Sequence, residues 1–400
     1  MRFQCIAAFV AVSLALAGTA YAQKAYDTGV TDTEIKIGNT MPYSGPASAY
    51  SSQGRAETAY YKMINAKGGV NGRKINFITY DDAYSPPKTV EQTRKLVEQD
   101  EIFANFGSLG TPTNTAIHKY LNQKKMPHLF VSTGAAKWND PRTFPWTLPL
   151  YPSYQMEGRV AGKYVVQTKP DGKIAILYQN DDFGKDYVKG FKEGLGNKVA
   201  QVVIEKSYEV TDPTLDSQLV ALKVSGADVL YAITTPKFGA QAIKKAGELN
   251  WKPLFLIASV SSSIKSALEP AGIENSTGLV TAIAGKVASD PRWKDAPDMK
   301  EFLAFVKEWM PGENPDDASL GTGYGSAWMT VKVLTECGDN LTRENLMKVV
   351  TRQNNVAVPL LLPGITLTIT ADNYAGYGQL QMVRFDGKTW EPIGPVISAE

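Results

Sequence analysis

Histidine and cysteine are scarce, with two of each in 400 residues. That is a poor kit for metal centres and for imidazole- or thiolate-based catalysis. An excess of one charge is also lacking. Lys+Arg 42 stands against Asp+Glu 40, a net charge of +2, which leaves no electrostatic footprint for nucleic acid or anionic lipid. Past the first residues no apolar run reaches the ~18–20 positions that a spanning helix needs. What is present is ordinary folding material: 43% hydrophobic, 20% charged and 10% aromatic. This excludes disordered, collagen-like and coiled-coil classes. The length suits two domains at roughly 100–200 residues each. The balance points toward binding and away from catalysis.

Residues 1–22 read as a signal peptide. Arg2 supplies the positive end, Cys5 to Ala17 forms an apolar core of leader length, and Ala20-Tyr21-Ala22 is a small-x-small cleavage site. The expectation is export with cleavage near Ala22, leaving Cys337 alone and no internal disulfide. Stability must then come from the cores.

From residue 32 onward strands and helices alternate. Ile35 and Ile37 alternate in a strand over Glu34–Met41, and the loop SGPASAYSSQG follows. Ala56, Tyr60 and Met63 recur at helical spacing over 53–66. Gly68-Gly69 and Asn71-Gly72 then turn the chain into a second strand, and Pro86-Pro87 opens the next helix. The same grammar predicts further strands near 102–106, 128–132, 173–179, 199–208, 228–234 and 253–258. Helices are expected over 112–124, 153–168, 215–224 and 236–249. Such alternation implies right-handed βαβ crossovers and parallel sheets covered on both faces, too many units for one sheet. The fold class is therefore α/β, with two doubly wound parallel-sheet lobes. The proline-rich stretch Trp138–Tyr154 and the extended GLVTAIAG at 278–285 read as crossings between lobes. Asp386-Gly387 marks a late hairpin.

These blocks resemble a known family. MINAKGGVNGRKINFITYDDAYSP (63–86) is similar to the signature of periplasmic branched-chain amino-acid-type (type I) solute-binding proteins of ABC transporters. IKIGNTMPYSGPASAY, GSLGTPTNTA, MPHLFVSTGA, KIAILYQNDDFGKD and GADVLYAITTPKFGAQAIKKA resemble further family blocks in the family's order. The resemblance spans the chain after the leader. It implies two discontinuous lobes joined by three hinge crossings, with ligand in the cleft. The expected division places 31–149 and 284–356 in lobe 1 and 152–280 and 362–400 in lobe 2, with 357–364 as the third crossing. It also implies a monomer in the periplasm that delivers a small-molecule carboxylate to an ABC permease, without cofactor, metal, nucleic acid or membrane insertion.

Ligands of parallel sheets sit beyond the carboxyl ends of the strands. Two small, hydroxyl-rich loops lie there, 107–113 and 132–136. Free N–H groups at a helix start favour a carboxylate without any charged side chain. Gly110, Thr111, Thr133, Gly134 and Ala135 are the candidates for this role. The same residue types also serve any turn that precedes a helix. The resemblance places Tyr50 and Phe183 as aromatics from opposite lobes, with Tyr154 at the first crossing as a further pocket candidate.

The chain departs from the family pattern in the second lobe. Amino-acid binders hold the α-ammonium with an acid in the loop after the strand resembling 253–258. Here Ser259 or Val260 stands in that place, Thr234 and Thr235 replace an aromatic, and Ser319 replaces a phenyl contact. An ammonium without an acid would lie unpaired in a closed cleft. This favours an aromatic or other non-amino carboxylic acid over branched-chain amino acids, unless Asp181 or Asp182 supplies the acid. A sensory ligand-binding domain is the alternative outside transport.

Enzyme motifs are thin. Ser262-Ser263-Ile264-Lys265 fits Ser-x-x-Lys but lacks its companions. Gly321 to Gly325 lacks dinucleotide spacing, and His118 and His128 have no ligand partner at short range.

Overall fold

The computed structural model describes residues 24–398. The expected signal peptide lies outside the described residues. In the first lobe, β1 (Glu34–Met41), β2 (Lys74–Asp81), β3 (Ala104–Phe106), β4 (His128–Val131) and β5 (Thr147–Pro149) form a parallel sheet in the order β2-β1-β3-β4-β5. Helices α1 (Ser51–Ala66), α2 (Pro86–Glu98) and α3 (Thr111–Gln123) connect these strands. β5 lies inside the stretch expected only to cross. Proline is tolerated there because β5 is an edge strand.

The chain enters the second lobe through residues 150–153. There α4 (Tyr154–Thr168), β6 (Ile174–Gln179), α5 (Asp182–Leu195), β7 (Val202–Tyr208), α6 (Asp216–Val224), β8 (Val229–Ile233), α7 (Pro236–Glu248), β9 (Leu254–Ile257) and β10 (Val280–Ile283) follow in turn. Glycines let α4 and α5 meet backbone to backbone. A Cβ on Gly158 would lie 2.5 Å from the Tyr187 carbonyl oxygen, and one on Gly190 would lie 2.1 Å from that of Gln155. This close contact fixes Tyr154, Glu157 and Phe183 relative to one another.

At 284–286 the chain leaves the second sheet, and α8 (Pro297–Trp309), α9 (Ala318–Cys337) and α10 (Arg343–Val350) pack on the first lobe. A small antiparallel pair follows, β11 (Gln353–Val356) with β12 (Leu367–Ile369). The stretch 357–364 runs antiparallel beside the second crossing, where the Leu362 N–H donates to the Ala284 carbonyl at 2.8 Å. Leu367, Ile369, Tyr374 and Tyr377 still belong to the first-lobe core. Only then does the chain enter the second sheet with β13 (Gln379–Phe385) and β14 (Trp390–Ser398), a hairpin turned at Asp386-Gly387. That seven-stranded sheet runs β14-β13-β10-β9-β8-β6-β7, with β13 and β14 antiparallel. Both sheets present their carboxyl ends to the cleft.

Candidate functional site

The first-lobe wall is built on loops after β1, β3 and β4. α3 starts at Thr111 after Gly110, whose φ of +104° suits glycine, and no side chain caps it. Its first N–H groups and the aligned peptide dipoles thus point into the cleft uncompensated. The hydroxyls of Thr111 and Thr133 are hydrogen-bonded at 2.6 Å, which ties the two candidate loops together. Ser132 donates to Gln53 Oε1 at 2.9 Å. Tyr84 stands over Gly110 with φ +58°, a left-handed conformation secured by its N–H donating to Asp82 Oδ1 at 2.9 Å.

The second-lobe wall mirrors this arrangement. α7 begins at Pro236 behind Thr235, again with no side-chain cap. The Thr235 N–H donates to the Tyr208 hydroxyl at 3.2 Å. Phe183 packs edge-on against Tyr154 and Tyr187, with ring centroids 5.2 and 5.5 Å away. Tyr50 spans the cleft and donates to the Val260 carbonyl at 3.0 Å. Lys137 Nζ lies 2.6 Å from Asp182, and the Ala136 N–H donates to Asp186 at 2.7 Å, so the lobes touch around the cleft.

Between these walls lies a pocket of about 60 Å³. Of the candidate residues, Tyr50, Gly110, Thr111, Tyr154, Phe183, Thr235 and Ser259 line it. Thr133, Gly134, Ala135 and Thr234 stand behind that lining. Thr133 supports Thr111, the Gly134 carbonyl accepts from the Tyr154 N–H at 2.8 Å, and Thr234 is fully buried beside Ser261. Sequence reasoning missed Gln53, Tyr84, Tyr151, Ser263 and Thr322, which also line the pocket, as does Leu109 of the recognised loop 107–113. The Ser132 side chain does so too, within a loop that was recognised.

No charged side chain lines this pocket. Asp181 is committed to the Gly184 N–H and to Gln179, and burial pushes its carboxyl up to about 6. Asp182 pairs with Lys137 at the rim. A third acid approaches from behind: Glu157, on α4, accepts from the Ser259 N–H at 2.7 Å, the Ser259 hydroxyl at 2.6 Å and the Tyr187 hydroxyl at 2.7 Å. Burial raises its carboxyl to about 7 against those hydrogen bonds. Its partners are protein groups, and Ser259 screens it from the pocket.

The thin enzyme motifs do not assemble. Lys265 pairs with Glu269 at 2.7 Å, while Ser263 accepts from the Ser266 and Ala318 N–H groups. His128 bonds Asn114 in the core, and His118 packs against Trp138 and Phe144. Among the described residues there is no group of three or more His, Cys, Asp or Glu arranged to hold a metal, and no helix is long and apolar enough to cross a membrane.

Behind the pocket, toward the crossings, lies a larger cavity of about 200 Å³. Tyr151, Ser259, Ser263, Ala318 and Thr322 line both spaces. The larger space therefore lies at the hinge and not beside Thr234.

Comparison with known proteins agrees with this architecture. A family model described as periplasmic binding protein matches residues 34–389. The leucine-, isoleucine-, valine-, threonine- and alanine-binding protein of Pseudomonas aeruginosa is 25% identical over 335 residues, covering 82% of this chain and 83% of that protein. The fatty acid ABC transporter substrate-binding protein from Thermomonospora curvata superimposes with a TM-score of 0.77 at 21% identity, covering 94% and 95% of the two chains. A solute-binding protein of an ABC transporter from R. palustris, in complex with benzoate, gives a TM-score of 0.77 at 20% identity over 91% and 98%.

Proposed function

The chain belongs to the periplasmic binding proteins, and on that premise we propose that it captures a carboxylic acid lacking an α-ammonium, with aromatic acids favoured, for an ABC importer. The observation that carries this reading is the inter-lobe pocket itself. The uncapped start of α3 faces it from the first lobe, Thr235 at the start of α7 faces it from the second with its N–H held by Tyr208, and no charged side chain lines it. Such a site attracts an anion through N–H groups and dipoles. It offers no carboxylate to an ammonium, whose burial without a partner is costly. Tyr50, Tyr84, Tyr151, Tyr154 and Phe183 supply aromatic surface for the body of the ligand.

In the proposed mechanism the first lobe receives the carboxylate at Gly110 and Thr111. The second lobe then closes about the crossings, and Tyr50 engages Val260. The closed pair of lobes is the form that the permease recognises. Work outside the cytoplasm and return of an unchanged ligand both follow from this reading. Capture of aliphatic amino acids is the second reading, favoured by the Pseudomonas relative's ligands.

Thermal unfolding with a panel of aromatic acids, aliphatic acids and amino acids separates the two. A ligand at about 100 times its dissociation constant stabilises by roughly 2.7 kcal/mol. Stabilisation by leucine or valine alone would reject the proposal. A paired test concerns the anion site. Thr111→Pro removes one N–H, and the Pro86-Pro87 start of α2 is a precedent for two prolines at a helix start in this chain. Thr111→Val keeps the N–H and loses only the hydroxyl. The proposal expects the proline variant to lose most binding and the valine variant to retain more.

A further inference from the structure

The pocket at the anion site is too small for the ligand body that the function requires. Its volume of about 60 Å³ is less than half of the roughly 150 Å³ that admits benzene. The connected hinge cavity, at about 200 Å³, exceeds that size. Its walls are mainly apolar, with the small residues Ala282, Ala284, Gly321 and Gly325 beside Phe302 and Leu360, and one of its two acids, Asp316, accepts from the Ser289 N–H at 2.6 Å. Gly321 and Gly325 of α9 keep this space open, since a Cβ at either would only reach ordinary contact with Leu360 or Val358 at 3.4 Å. Lys286 reaches this wall, but both carboxylate oxygens of Asp298 hold its ammonium, at 2.6 and 2.7 Å. Asp317 is likewise committed to Ser52 and to the Ser319 N–H.

Resting on the carboxylate reading above, we infer that the hinge cavity is a tail subsite, so that the ligand is an elongated carboxylate with an apolar alkyl or arylalkyl body. The head sits at the start of α3, facing Thr235 across the cleft. The tail passes Tyr151, Ser259 and Thr322 and ends among the three crossings. Tyr151 lies on the first crossing, Ala284 on the second, Leu360 on the stretch expected as the third and Tyr377 just before the chain enters the second sheet, and all four line the cavity. A tail lodged there touches every segment that must bend. Chain length would thus be read by the hinge itself.

The test is calorimetric titration of the whole protein with benzoate, then ω-phenylalkanoates of increasing length, then straight-chain acids from butanoate to octanoate. Wild type is expected to tighten about fourfold per added methylene until the cavity fills. The two series separate an aryl-ended tail from a plain alkyl one. Gly321→Leu and, as a second variant, Ala288→Leu fill the cavity away from the anion site. Each should weaken 4-phenylbutanoate by more than tenfold and benzoate by less than threefold, with folding verified by thermal unfolding. Benzoate binding without any gain from longer tails overturns the tail subsite and leaves the carboxylate reading intact. Equal loss for benzoate and 4-phenylbutanoate in both variants overturns it as well. Failure of every carboxylate to bind overturns the carboxylate reading, and the tail subsite falls with it.

Discussion

The Tyr50 hydroxyl and the Val260 carbonyl oxygen lie 3.0 Å apart across the cleft, joining a first-lobe loop to the loop that follows β9. Both residues also line the pocket. The bond is available only when the lobes meet, so it favours the closed form without touching the folded state of either lobe. Tyr50→Phe keeps the ring and removes the bond. A net hydrogen bond is worth about 0.5–1.5 kcal/mol, so ligand affinity should fall by roughly 2- to 13-fold. The unfolding temperature of the ligand-free protein should hardly change. Titration calorimetry measures the first quantity and calorimetric melting the second. Unchanged affinity would remove the bond from closure.

The rim ion pair should matter less. Lys137 and Asp182 approach to 2.6 Å, but their side chains remain 31% and 51% exposed. Exposed pairs contribute about 0–1 kcal/mol and are screened by salt. Asp182→Asn should therefore cost less than about fivefold in affinity, and the difference should shrink between 50 mM and 500 mM salt. A larger, salt-independent loss would assign Asp182 a direct role toward the ligand.

Gly110 carries a stricter demand. Its φ of +104° already disfavours a side chain, and an added Cβ would lie 2.5 Å from a Tyr84 ring carbon and 2.6 Å from the Thr113 hydroxyl. Gly110→Ala should cost about 1–3 kcal/mol of stability and more than tenfold in affinity, because both neighbours frame the start of α3. Gly312→Ala is the control: φ is +92°, yet nothing lies within 4 Å of the added atom. It should lower the melting temperature and leave binding alone. Equal affinity losses in the two variants would trace the effect to general strain.

Much of the architecture was legible in the residues. β-branched alternation and three-to-four spacing marked the strands and helices, and the loops at Gly110 and Ser132 announced themselves by composition. β5 was hidden because Pro145 and Pro149 read as loop, while an edge strand accepts them. Tyr374 and Tyr377 continue the first-lobe core beyond 364, since their partners, such as the Pro145 carbonyl, lie far away in sequence. Glu157 stands in the first turn of α4, where an acid is ordinary. Its role at Ser259 depends on the tight α4–α5 packing, which no local pattern reveals. The hinge cavity was invisible for the same reason, because its walls come from all three crossings.

Buried ionisable groups give the last prediction, the pH profile of stability. Burial raises Glu57 to about 8 and Glu157 to about 7, from an ordinary 4.5. Each keeps a proton in the folded chain that the unfolded chain releases above that ordinary value. Their contribution is complete below about pH 4.5 and is lost as pH rises toward 7 and 8. His118 and His128 act in the opposite direction. Burial lowers them to about 4 and about 3 from 6.5, so the unfolded chain takes up protons that the folded chain refuses, and stability drains as pH falls below 6.5. The two effects oppose one another between about 4.5 and 6.5, but Asp181, held up to about 6 by burial, adds to the loss with rising pH from its ordinary 3.8 upward, which places the maximum toward the acid end of that window, with decline on either side. Glu157→Gln isolates one contributor. Relative to wild type its stability should rise with pH by up to about 1.4 kcal/mol per unit between pH 5 and 7, then level off. Urea unfolding at each pH measures this, and a difference that stays constant over the range would show that Glu157 does not hold the proton.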